Sequence, residues 1–219
     1  MTTFQRARSE EQRAARRRAI LGTAAAMLTE MPVAELSLNE LSRRVGLAKS
    51  NVLKYFESRE AVLLELFGIE FDAWIDDLEA ALRDAAGSPA QRSEQLVEAV
   101  VRTLSARPVF CDLISAQAAV LERNISTEVA LTFKRAALAG YQRMLIVVTA
   151  ALPQIGVEGA SRFIANASML AGAIWTHSHP TAAILAAYEA DPELATIRLE
   201  FAPSLREALT SLLYGLLPR

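Results

Sequence analysis

Residues 36–66 read LSLNELSRRVGLAKSNVLKYFESREAVLLEL. Two short helical patterns lie in this stretch, one over 37–45 and one over 48–55, joined through Val45-Gly46-Leu47-Ala48. Helices of about two turns are marginal alone, because nucleation is costly and few hydrogen bonds follow it. They persist when packed, so each must bury one face and is kept for the other. Ser37-Leu38-Asn39-Glu40 has the spacing of a capping box, and Gly46 stands where a helix end needs a left-handed residue. Leu38, Leu41 and Val45 then share one side of the first helix. In the second, Val52 and Phe56 are one turn apart, and Leu47 enters the same core. Packed on a preceding helix and on Leu63, Leu64 and Phe67, they make a head of three or four helices.

The opposite face of the second short helix carries Lys49, Ser50, Leu53 and Lys54, with Asn51 and Tyr55 at its flanks. A short basic helix joined to its predecessor by a Gly-containing turn is the helix-turn-helix design. The major groove of B-DNA, about 12 Å wide, admits one such helix, and the preceding helix crosses the backbone and holds the angle. A surface helical hairpin with solvated charges has the same local pattern. It leaves open a helical protein-interaction module that does not bind DNA.

Working outward, the 219 residues are 52% hydrophobic and 22% charged, which supports a sizeable core. The net charge of −2 hides an asymmetry. Residues 1–67 hold 11 Lys+Arg against 8 Asp+Glu, and the remainder holds 12 against 17. A basic front on an acidic body fits a nucleic-acid-binding head. The single cysteine, Cys111, excludes an internal disulfide and fits a reducing compartment. No apolar run approaches the roughly 18 residues of a membrane span, and the N-terminus lacks a secretory apolar segment. A cytoplasmic protein with no membrane association is expected.

Helical periodicities separated by Gly and Pro run through the rest, and the expected class is all-α. Ser9-Glu10-Glu11-Gln12 reads as a capping box opening a first helix that Pro32 ends. Ser58 caps a long helix reaching about Ala86. Further helices are expected near 90–105, 108–122, 127–152, 157–177 and 200–217, with a short one near 181–190. The expected division is a head over 1–67 and a larger helical domain over 68–219.

The segment GLAKSNVLKYFESREAVLLEL (46–66) resembles the recognition segment of TetR-type (tetracycline-repressor-like) transcriptional regulators. The resemblance rests on Leu41, Val45, Gly46, Lys49, Phe56, Ser58 and Glu60, with a hydrophobic residue at 52 and a basic one at 59. It is close over about residues 10–67, and beyond that only the all-helical layout is similar. There are departures: Leu53 and Tyr55 stand where the family usually has Tyr and often has His, and Ala48 replaces a capping Ser. The tyrosine hydroxyl commonly reaches phosphate. Tyr55 is placed to replace it from the adjacent turn, and Leu53 to touch a thymine methyl group.

The outward face assigns roles. Lys49 is a candidate for guanine and Asn51 for adenine, through their major-groove edges. Ser50 serves base or phosphate. Ser37, Asn39, Lys54, Tyr55 and Arg59 are candidates for phosphate, as is the helix start at Ser58, where unpaired N–H groups and the macrodipole favour an anion. Arg6, Arg8 and Arg13 form a candidate arm toward the backbone or minor groove.

A single head reads one half-site, so reading a palindromic operator requires a homodimer. The resemblance implies that the last two long helices of each subunit form a four-helix bundle. The small residues of 160–175 and the apolar face Leu205, Leu209, Leu212, Leu213 and Leu216 are compatible with it. The resemblance also implies a body that encloses a small-molecule effector. Candidate lining residues are Trp74, Phe110, Cys111, Phe133, Tyr141, Met144, Met169 and Trp175, an apolar set. Repression relieved by the effector is the family default.

Other chemistry has little to work with. His177 and His179 are two apart, which on a helix points them away from each other. No Gly-rich phosphate loop, nucleophile elbow or zinc signature occurs. No enzyme activity, cofactor or metal is expected.

Overall fold

The computed structural model describes residues 3–218, with side chains from Glu10 onward. Among the described residues the regular elements are helices, and no strand occurs. They form two compact units: one of residues up to Ile69 plus Ala116–Ala136, the other of Glu70–Ser115 plus Ala137 onward. Segment 116–136 packs with the head, although the sequence places it far along the chain.

In the N-terminal unit, α1 (Thr3–Leu28) buries Ile20, Leu21, Ala24, Met27 and Leu28. It begins upstream of Ser9, so the expected capping box there falls inside the helix and not at its start. It also stops before Pro32, closing through Glu30 N–H and Met31 N–H to the Met27 carbonyl. Helix α2 (Leu38–Val45) starts at Ser37, whose Oγ accepts from the Glu40 N–H at 3.2 Å. Only that half of the expected capping box is seen, because the Glu40 carboxylate turns to Arg43 and Arg44.

Gly46 ends α2 at φ +73°. Its N–H bonds the Arg43 carbonyl while the Leu47 N–H bonds Ser42, the paired bonds of a Schellman turn. A side chain would be strained at this φ. Helix α3 (Lys49–Val52) is a single turn, shorter than the expected 48–55. Ala48 offers no side-chain cap, and the chain winds on through looser turns, with Tyr55 N–H and Phe56 N–H both to the Val52 carbonyl. Leu41, Val52 and Phe56 are buried as their spacing predicts.

Helix α4 (Arg59–Leu82) is capped by Ser58 Oγ, which accepts from the Ala61 N–H at 3.1 Å, and it ends four residues short of the expected Ala86. Its first part belongs to the N-terminal unit and its remainder to the C-terminal one.

In the C-terminal unit, α5 (Pro89–Ser105) opens with a complete capping box between Ser88 and Gln91 and with Pro89 in its first turn. Helix α6 (Pro108–Ala116) gives way to a π-helical turn, Gln117–Leu121, where one unbroken helix was expected. That turn lies in segment 116–136 of the N-terminal unit. Helix α7 (Thr127–Ala151) begins in the N-terminal unit and continues in the C-terminal one, where Gly140 closes on the Phe71 ring: a Cβ there would lie 2.4 Å from it. Helix α8 (Gly156–Ser178) follows a 3₁₀ turn at Pro153–Ile155. Two short helices, α9 (Ala182–Ala190) and the unexpected α10 (Pro192–Ala195), lead to α11 (Phe201–Leu216).

Helix α11 packs on α5 and α8, burying Leu205, Leu209 and Leu213 within the unit. Most of its leucine face is therefore intramolecular core. Its outer side carries Thr210, Ser211 and Gly215 around Tyr214, which is 85% exposed.

Candidate nucleic-acid interface

The outward surface of α3 and the turn after it forms as the sequence predicts. Lys49, Ser50, Leu53 and Lys54 are exposed, while Asn51 and Tyr55 are half-buried at its margins. Leu53, at 42% exposure, is an apolar contact point on a polar face. Lys54 Nζ donates to Asn51 Oδ1 at 2.9 Å, so two of the candidates are coupled before any ligand arrives. Ser37 and Asn39 are exposed at the start of α2.

Helix α1 braces this surface from behind. The Arg17 guanidinium donates to the Tyr55 carbonyl and to Glu65, and lies 4.2 Å from the Phe56 ring centre. One turn earlier, Arg13 donates to the Lys54 carbonyl at 3.4 Å and sits 5.8 Å from the Tyr55 ring centre. An open cleft of about 720 Å³ runs beside these groups, lined by Gln12, Arg13, Arg16, Lys54 and Tyr55 with Ala15 and Ala19. Arg17 was not singled out by sequence reasoning, although its spacing of four from Arg13 places both on one face. The side chains of Arg6 and Arg8 lie outside the described residues.

Arg59 is placed differently from its expected phosphate role. Its guanidinium turns inward, donating to the Leu36 carbonyl at 3.0 Å and to Glu60 Oε1 at 3.0 and 3.1 Å. Glu60 is only 7% exposed, and Arg59 is its ion-pair partner. Arg43 and Arg44 are likewise engaged. They bond Glu40, which holds that carboxyl well below its usual range, at about 2, and Arg44 also pairs with Glu30. The outer face of α2 is thus nearly charge-balanced, and the basic character facing outward comes from Lys49, Lys54, Arg13 and Arg16.

Comparison with known proteins fits this geometry. The sequence model for bacterial regulatory proteins of the tetR family matches residues 20–66, the span that builds the helix-turn-helix. That for the tetracyclin repressor-like C-terminal domain matches residues 69–219. The chain belongs to the TetR family of transcriptional regulators. Its N-terminal helix-turn-helix is a DNA-binding domain, and the family's members are regulators and not enzymes.

A TetR-family relative, the HTH-type transcriptional regulator EthR of Mycobacterium tuberculosis, is 34% identical over 77 residues. That match spans 35% of this chain and 34% of EthR, about a third of the relative's length. Among solved structures, the fatty acid degradation regulator FadR from Bacillus halodurans aligns over 91% of this chain and 98% of its own, with TM-score 0.55 and 14% identity. A TetR transcriptional regulator from Rhodococcus sp. RHA1 aligns over 93% and 97%, with TM-score 0.53 and 14% identity. At such identities the likeness is one of fold.

The expected effector-lining residues do not converge on one place. Phe133 lies in the N-terminal unit, edge-on to Phe67 at 5.6 Å. Met169 is 65% exposed on the outer face of α8, so it is no lining residue of this chain's interior. In the C-terminal unit, Trp74 and Phe110 pack together with Phe71, and Trp74 Nε1 donates to the buried Thr103 hydroxyl at 2.9 Å. Tyr141 Oη donates to Ser161 Oγ at 2.7 Å, Met144 is buried, and Trp175 packs against His179 and Phe201. His177 is exposed while His179 stacks on Trp175. Among the described residues no group of three or more His, Cys, Asp and Glu side chains is arranged to hold a metal ion. Among the described residues no single helix is long and apolar enough to cross a membrane.

Cys111 is fully buried, its Sγ donates to the Leu104 carbonyl at 3.3 Å, and burial pushes its thiol up to about 12. The thiolate is the reactive form. At pH 8, labelling by a disulfide reagent is therefore expected to follow opening of the C-terminal unit, slow in buffer and complete in denaturant. Immediate labelling of the native protein would instead place Cys111 on an accessible pocket wall.

Proposed function

We propose that the chain is a repressor that binds a palindromic operator as a homodimer and is released by a small apolar effector. The observation that carries this reading is the exposed Lys49–Lys54 face, held by α1 and by the Gly46 turn. Lys49, Asn51 and Leu53 address base edges. Ser50 addresses base or phosphate. Ser37, Asn39, Lys54, Tyr55 and the α4 start at Ser58 address phosphate. The cleft beside Arg13 and Arg16 extends the phosphate-binding track, while Arg59 serves the fold.

Two heads about one turn of DNA apart require a dimer. Support for its interface comes from the outer sides of α8 and α11, where Ala165, Met169 and Ala173 and then Thr210, Ser211, Tyr214 and Gly215 are exposed. Small residues around one large one allow helices to approach closely. The effector binds in the C-terminal unit, with the packed Phe71, Trp74 and Phe110 rings as the candidate apolar wall. It acts by binding the form with mis-spaced heads more tightly than the DNA-competent form.

The lysines test the assignment on a duplex that the protein enriches from a random pool. Lys54→Ala is expected to weaken every sequence alike and to lower the salt slope by about one unit. Lys49→Ala is expected to relax preference at one base step, at a cost of about 1–3 kcal/mol. Equal shifts on all sequences from both variants would refute the division between base and phosphate roles.

A further inference from the structure

We propose that Glu57 is a positioning residue for the DNA-reading turn, tying it to segment 116–136 by capping helix α7 from outside that helix. The observation is a hydrogen bond across 69 residues: Glu57 Oε1 accepts from the Ser126 backbone N–H at 2.6 Å. Ser126 is the N-cap of α7, since its Oγ accepts from the Val129 N–H at 3.2 Å. A complete capping box needs a Glu or Gln at the third helical position to accept from the N-cap N–H. Here that position is Val129, which has no acceptor. Glu57 supplies the missing half, and the positive end of α7 favours its carboxylate.

Both ends of this link are fastened. Glu57 lies between Phe56, buried under Arg17, and Ser58, the N-cap of α4. Its neighbour Tyr55 accepts from Arg17 through its carbonyl. The backbone at Glu57 is therefore continuous with the braced turn that carries Lys54 and Tyr55, and the hydrogen bond to Ser126 joins that turn to the start of α7. On the other side, Glu122 accepts from Gln117 Nε2 at 3.0 Å and from Lys134 Nζ at 2.8 Å, fastening the π turn to α7. The π turn continues α6 and α7 runs on beyond Ala136, so the segment is covalently continuous at both ends with the C-terminal unit. A repacking that shifts either helix displaces Ser126, and Glu57 passes the displacement to the reading turn. This inference rests on the DNA-binding reading and adds a residue through which an effector's signal reaches it.

The test combines hydrogen exchange on the free protein with affinity for a duplex enriched by the wild-type chain. Glu57→Ala is expected to speed exchange in both 53–58 and 126–130, and to weaken the duplex complex, each by about tenfold, the size of a lost cap. Removing a negative charge near phosphate would by itself tighten the complex, so weakening has the opposite sign to a bare charge effect. Glu57→Gln keeps an acceptor oxygen and is expected to retain most of both properties. Val129→Gln in the Glu57→Ala background restores the missing cap within α7. It is expected to re-protect 126–130 while leaving 53–58 and duplex affinity impaired.

Unchanged exchange at 126–130 in Glu57→Ala would overturn the proposal. So would Glu57→Gln behaving like Glu57→Ala, or recovery of duplex affinity on adding Val129→Gln, which would make Glu57 a stabiliser of α7 alone. If the wild-type chain enriches no duplex, the DNA-binding reading fails, and the exchange result still decides the Glu57 contact.

Discussion

Phe56→Ala is expected to lower the stability of the N-terminal unit by about 3–5 kcal/mol, the cost of emptying an aromatic site in a packed core. Phe56 is 3% exposed and closes the turn that follows α3. Val52 and Leu41 share its core, and the Arg17 guanidinium lies over its ring. Truncation removes the ring and the surface on which Arg17 rests, so Tyr55 loses its brace as well. Because α3 is a single turn, it has no internal hydrogen-bond ladder to fall back on. Urea denaturation followed by circular dichroism, with hydrogen exchange of residues 20–66, measures the effect. Exchange in the head is expected to rise toward that of an unfolded chain, with duplex binding lost. Phe56→Leu, which keeps most of the volume, is expected to cost less than half as much. A loss below about 1 kcal/mol for Phe56→Ala would mean that the head does not depend on this contact.

The second large effect belongs to Arg59. Arg59→Ala is expected to cost about 2–3 kcal/mol, because hydrogen bonds to a charged group are lost and the partner is left buried. Three of its bonds are at stake, two to Glu60 and one to the Leu36 carbonyl. Arg59→Lys is expected to recover little, since an ammonium cannot span both partners as the guanidinium fork does. Adding Glu60→Gln to Arg59→Ala is expected to recover part of the loss by removing the unpaired buried charge. A phosphate-binding role gives the opposite pattern: unchanged thermal stability, and a salt slope for duplex binding lower by about one unit.

Arg59 also marks where sequence reasoning stops. The all-helical class, the Gly46 turn, the Ser58 cap and the burial of Leu41, Val52 and Phe56 all follow from local rules, and the structure shows each of them. The exposed Lys49–Lys54 face follows too, because it is the complement of a buried face on the same short element. The bond from Arg59 to the Leu36 carbonyl, 23 residues back, is not local, and neither is the bracing by Arg17. The grouping of 116–136 with the head depends on contacts such as Phe67 with Phe133, which no periodicity encodes.

Two misreadings were local. Ser9-Glu10-Glu11-Gln12 has the spacing of a cap but is preceded by residues that continue the helix, and a cap acts only where a helix ends. In 48–55 the pattern is helical, yet Ala48 provides no cap and the chain must turn into α4, so regular helix ends at Val52. Met169 and the α11 leucines show the limit of amphipathic reading. Each lies on an apolar stripe, and the stripe alone does not say whether it meets this chain's own core or a second surface.

The central claim is that a dimer of this chain reads DNA through the Lys49–Lys54 face. Its most direct test titrates the purified protein against the duplex upstream of its own gene and an unrelated duplex of equal length, at two salt concentrations, with the stoichiometry of the complex measured alongside. Preferential binding of two chains per duplex, weakening steeply as salt rises, is the predicted result. No affinity for either duplex at low salt, from a folded protein, would contradict it.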